Sequence, residues 1–179
     1  MNDNELLILL AIISSLTALN LALNVKLIRH FLHHEEAPMQ RIIEDEEFPV
    51  LTATQLSSDA PLAIPRQHVD TAAVFLQTNC PKCKSKLPML EQMILRSDDA
   101  NVTIQILVHD QMPKLDKFFQ SSSLQPHIAV LSYQDYLRIN RHEVSPAYVF
   151  ISEQKTIEAQ GLVGDDGWRY FEDNVLGSA

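Results

Sequence analysis

Whatever thiol chemistry this chain performs rests on two cysteines. Cys80 and Cys83, with two residues between them, lie in residues 75–88, FLQTNCPKCKSKLP. Thiols at that spacing suit half of a zinc site, a redox pair cycling between dithiol and disulfide, or buried structural thiols with no chemistry. The chain has no other cysteine, so a zinc site would have to recruit histidines or a second chain, and a disulfide-stapled scaffold is excluded. Two thiolates and one histidine also suit copper(I), and His109 or His142 is the histidine that a copper-delivery module would recruit. The pair His33–His34, beside Glu35 and Glu36, reads as solvated rather than metal-binding.

The elements that must position the thiols decide among these readings. Residues 72–77, AAVFLQ, form a short apolar run that predicts a buried strand, and residues 80–95 carry Leu87, Leu90 and Ile94 near helical spacing. Cys80 therefore falls where a strand ends and a helix begins. Pro81 falls in the first helical turn, where its missing N–H costs nothing. The free N–H groups and dipole of a helix start favour an anion, so a thiolate at Cys80 is stabilised and made reactive. Lys82 adds a nearby cation, expected to have a small effect. Cys83 follows one helical turn later and is expected to be less accessible. That asymmetry suits a two-step exchange: Cys80 forms a mixed disulfide and Cys83 resolves it. Pro88 inside the predicted helix, and Pro146 before an apolar run, both ask for an explanation. Pro146 reads either as an edge feature or as a cis-proline in a tight turn.

Further strands are predicted at 101–109, 127–132, 147–152 and 156–162, with helices at 114–119, 133–140 and 165–176. Alternating strands and helices followed by a hairpin and a helix indicate an α/β domain with a mixed sheet. Trp168 and Phe171, at helical spacing, are expected to pack in its core. Ahead of it, residues 6–25 contain no charge and match the length of a membrane-spanning helix. The organisation expected is a membrane anchor at 1–31, an acidic solvated stalk at 32–47 and the folded domain at 48–179. Lys26 and Arg29 follow the apolar run with no basic residue before it, which by charge bias alone places the domain in the cytoplasm. The net charge of −9 gives no electrostatic footprint for nucleic acid.

Cys80-Pro81-Lys82-Cys83-Lys84 with Pro88, then Ser145-Pro146, then the run 148–174 with Gly161, resembles the thioredoxin superfamily. The spacing 127–140 is similar to the insertion of its redoxin branch. Within that branch the membrane-anchored methylamine-utilisation accessory proteins, the MauD family, are the nearest likeness. The resemblance implies a thioredoxin-like fold with an N-terminal transmembrane helix. It implies a redox-active Cys80–Cys83 disulfide supported by Pro81 and Lys82. It also implies a cis-proline at Pro146, with Ser145, receiving the substrate. It implies no cofactor and no metal. The partners implied are a protein client with cysteines or disulfides, the membrane, and a redox partner. The implied location is the bacterial inner membrane with the domain in the periplasm. Two positions depart from thioredoxin proper. Asn79 stands where that family has Trp, and Val74 stands where it has a buried acid, so the direction of electron flow is open. The copper families usually space their cysteines one residue wider.

Overall fold

The computed structural model describes residues 14–17, 20, 21, 24, 42, 43, 45–97, 99–120 and 122–177. The chain divides into two units, Met1–Gln40 and Arg41–Ala179. In the first, the described residues are helical and exposed. Among the described residues no helix is long and apolar enough to cross a membrane, and most of the run 6–25 lies outside them.

The second unit is built on seven strands: β1 (Leu51–Gln55), β2 (Pro61–Ile64), β3 (Asp70–Phe75), β4 (Val102–Val108), β5 (Ile128–Val130), β6 (Ala147–Ile151) and β7 (Ile157–Leu162). The helices are α1 (Pro81–Ser97), α2 (Met112–Phe118), α3 (Tyr133–Ile139) and α4 (Asp166–Tyr170), with a π-helical turn over Phe171–Val175. The sheet order is β2-β1-β5-β4-β3-β6-β7. β3, β4 and β5 run parallel, while the pairs made by β1, β2, β6 and β7 are antiparallel.

The apolar run of β3 makes it a central strand, buried on both sides from Thr71 to Phe75. Period-two alternation divides its side chains between two cores. Ala72 and Val74 join Leu90, Met93 and Ile94 of α1, Leu115 of α2 and Trp168 of α4. Ala73 and Phe75 join Tyr136 and Ile139 of α3 on the other face. Trp168 is fully buried against Tyr148, Phe150 and Phe171, as expected. Asp165 caps α4: its carboxylate accepts the N–H of Trp168 and the hydroxyl of Tyr148. Gly161 is forced by this cap, because a Cβ there would collide with the Asp165 carboxylate and the Tyr148 ring.

Three features differ from the sequence reading. β2, the hairpin partner of β1, is not expected from PLAI, a four-residue edge segment that begins with proline. β5 is only three residues long, because Pro126 draws Gln125–His127 into a 3-10 turn ahead of it. The stretch placed in the acidic stalk also contributes to the domain. Ile42 and Ile43 are buried, and the Gln160 side chain pairs with both backbone groups of Ile43, at 2.8 and 3.0 Å. Glu46 and Phe48 hydrogen-bond to Ile157 and Lys155 across a bridge at Glu47–Thr156. The segment covers the β7 edge, which otherwise presents unpaired backbone groups.

Candidate active site

Parallel β3 ends at the cysteine pair, and Cys80 caps α1. Its carbonyl accepts the first helical bond, from Lys84 N–H at 3.2 Å, and its sulfur accepts the N–H of Cys83, also at 3.2 Å. Pro81 takes the first helical position, as expected. A sulfur in that place receives a free helix-end N–H, which favours the thiolate. Cys80 is partly exposed and Cys83 fully buried, and both are free thiols. Burial acts to raise the Cys80 pKa. It is outweighed by hydrogen bonds from the thiol and N–H of Cys83, from Ser145 and from the N–H of Lys82, so the pKa falls below the ordinary thiol range. Burial, reinforced by the hydrogen bond to Cys80, pushes the Cys83 thiol up to about 11. Lys82 thus acts through its backbone N–H, while its side chain is exposed.

The expected consequence is selective alkylation. With iodoacetamide, Cys80 should be modified first and at a lower pH than an ordinary thiol, while Cys83 should stay protonated until near pH 11. Peptide mapping across a pH series checks this, and equal labelling of both residues at neutral pH would contradict it.

Across from the pair, the Ser145–Pro146 peptide bond is cis. The Ser145 carbonyl lies 3.8 Å from Cys80 Sγ, and the Pro146 carbonyl accepts from Val163 N–H at 3.1 Å. Ser145 and Pro146 are therefore brought to the cysteines, 65 residues away in sequence.

Asn140 holds this loop, and sequence reasoning missed it. It is fully buried at the end of α3. Its side chain bonds both the N–H and the C=O of Val144, each at 2.9 Å, and donates to the Tyr136 hydroxyl at 3.2 Å. The available signal was an Asn at a predicted helix end, a frequent terminator. Gln77, between β3 and the cysteines, adds a bond to the Glu143 carbonyl at 3.3 Å. Asn140→Ala should lower stability by about 2–3 kcal/mol, since it strands the backbone groups of Val144. It should also slow any exchange at Cys80 through displacement of Pro146. Thermal melts and exchange assays of this variant test it, and a melt matching the parent would contradict it.

A cleft of about 560 Å³ opens beside Asn79, lined among others by Lys84, His109, Asp110, Lys117 and Glu143. His109 Nε2 lies 3.3 Å from Glu143 Oε1, within ion-pair distance though not aligned as a hydrogen bond. Asp110 accepts the Thr78 hydroxyl and pairs with Lys114 at 3.0 Å. Burial raises its pKa, but these partners and the Gln111 N–H lower it further, so the net shift is downward. Among the described residues, no three His, Cys, Asp or Glu side chains gather closely enough to hold a metal ion. Val74 is fully buried apolar packing, so no carboxylate stands at that position.

The fold is thioredoxin-like. The thioredoxin domain of a thiol-disulfide oxidoreductase from Bacteroides vulgatus superposes with a TM-score of 0.63 at 18% identity, over 72% of this chain and 95% of that one. StoA from Bacillus subtilis gives 0.57 at 16% identity, over 66% and 90%. A secreted Mycobacterium tuberculosis disulfide oxidoreductase homologous to E. coli DsbE gives 0.51 at 24% identity, over 60% and 79%. No family model and no curated protein matches the sequence.

Proposed function

We propose that this chain is a membrane-anchored thiol–disulfide oxidoreductase, with Cys80 as nucleophile, Cys83 as resolving thiol and Ser145–Pro146 as the seat for the client backbone. The observation that supports it best is the partly exposed Cys80, whose sulfur caps α1 and lies 3.8 Å from the Ser145 carbonyl. The fold's likeness to thiol-disulfide oxidoreductases points the same way.

In the reducing direction, the Cys80 thiolate attacks one sulfur of a client disulfide. A Cys80–client bond forms, the client disulfide breaks, and the second client sulfur leaves as a thiolate that takes up a proton. Cys83 then loses its proton and attacks Cys80 Sγ. The Cys80–Cys83 bond forms and the mixed disulfide breaks. The client gains two electrons, the pair loses two, and a dithiol partner resets the pair. Run backwards, the same steps oxidise a client dithiol. Once Cys80 is covalently bound it no longer draws on the Cys83 proton by hydrogen bond or charge, so two of the causes raising the Cys83 pKa disappear and resolution speeds up.

The anchor rests on the uncharged run 6–25. A periplasmic domain rests on the resemblance to the methylamine-utilisation proteins and on a secreted structural neighbour, against the charge bias of Lys26 and Arg29. On that resemblance, the client is a protein of methylamine dehydrogenase maturation. A C-terminal phosphatase fusion tests the orientation; a cytoplasmic signal would reject the periplasmic placement. For the activity, purified full-length protein in detergent should catalyse exchange between dithiothreitol and hydroxyethyl disulfide. Turnover no faster than the uncatalysed rate would reject the proposal.

A further inference from the structure

The chain as a whole is strongly acidic, yet five of its seven lysines (Lys82, Lys84, Lys86, Lys114 and Lys117) lie on the first half of α1 and on α2. The first turn of α1 holds no acidic residue, and three of these lysines lie at its N-terminal end, where a cation works against the helix dipole. The thiolate's lowered pKa is accounted for chiefly by hydrogen bonds. Four of the five also stand outside the ion pairs: among the described residues, Lys82, Lys84, Lys86 and Lys117 have no acidic partner within 4.0 Å, and three of the four are exposed at the surface.

Lys84 and Lys117 line the cleft beside Asn79, the residue before Cys80, with Phe118 contributing an apolar wall. Of the two carboxylates of that cleft, Asp110 is engaged by Thr78 and Lys114, which leaves Glu143, 3.3 Å from His109, to set against Lys84 and Lys117. The balance of charge in the cleft is therefore positive. At about 560 Å³ it has the volume of a site for a small ligand or a few side chains.

We infer that the client segment flanking the target cysteine is acidic, and that its carboxylates settle on Lys84 and Lys117 while its sulfur meets Cys80. This rests on the oxidoreductase reading and names the client class for the same site. The negative charge elsewhere on the chain repels such a segment and leaves this face as its approach.

The test uses full-length protein and three disulfide-linked peptides, matched except for Asp/Glu, Ser or Lys beside the cysteine. At about 0.01 M salt the acidic peptide should exchange on the order of ten times faster than the Lys peptide, and the gap should close near 1 M. A Lys84→Glu/Lys117→Glu double variant should reverse the order; comparing peptides within one variant cancels any change in thiol reactivity. Lys155→Glu, at the β6–β7 turn away from Pro146, should preserve the order. Uncharged hydroxyethyl disulfide separates the two ideas. No turnover with it overturns the oxidoreductase reading. Turnover with equal peptide rates, or an order unmoved by the double reversal, overturns the inference about the client.

Discussion

Cys80→Ser is expected to reduce exchange with hydroxyethyl disulfide by on the order of 10³-fold or more, to the uncatalysed rate. The size of the effect follows from the division of labour between the two sulfurs. Cys80 is partly exposed, receives the Cys83 N–H at 3.2 Å, and has its pKa lowered. Cys83 is fully buried, and burial, the largest cause of its raised pKa, persists in the variant, so it is a poor substitute as the attacking thiolate near neutral pH. A serine hydroxyl can occupy the same capping position, so the fold should survive, and circular dichroism should match the parent. The readout is the rate of dithiothreitol oxidation under a fixed disulfide supply. If the variant retained more than a small fraction of the activity, the nucleophile would lie elsewhere.

Trp168→Ala is expected to cost about 3–5 kcal/mol, the range for removing a buried large aromatic. Trp168 is fully buried in the core on the α1 face of the sheet. It stacks on Phe150 with ring centres 6.1 Å apart, and it touches Tyr148 and Phe171 at 5.3 and 5.8 Å. The cavity left cannot close easily, because β6 and β7 fix the floor and the Asp165 cap fixes the entry of α4. Its indole N–H has no hydrogen-bond partner among the described residues, so Trp168→Phe should cost less than half as much. Thermal denaturation should show a fall of roughly 10 °C or more for the alanine variant. A shift of a degree or two would mean that the C-terminal helix is not part of the cooperative core.

The cysteine site was legible because its cues are local. A strand, a cysteine, a proline and an apolar helical period follow one another within residues 72–95, and together they place Cys80 at a helix start. Pro146 was legible as a question, and the structure answers it with a cis bond beside Cys80. The supports of the site were not legible, because each depends on a contact distant in sequence or on how a loop folds. Asn140 looks like an ordinary helix terminator until Val144 is seen folded back onto its side chain. Lys82 reads as a cation of small effect, and its backbone N–H, which sequence does not place, is what bonds the Cys80 sulfur. Ile42 and Ile43 are an apolar pair amid charges, and their role emerges only when Gln160, 117 residues from Ile43, pairs with its backbone. Composition reads such a segment as solvated, because charge dominates the average while two buried side chains decide the outcome.

The most direct test of the account is a Cys83→Ser variant of the full-length protein expressed in cells and quenched with acid. With the resolving thiol removed, a mixed disulfide has no internal exit, so client proteins should accumulate covalently on Cys80 and be released by reductant. Adducts should form in Cys83→Ser and be absent from a Cys80→Ser/Cys83→Ser double variant. Adduct-free Cys83→Ser protein, or adducts that persist when Cys80 is also replaced, would contradict it.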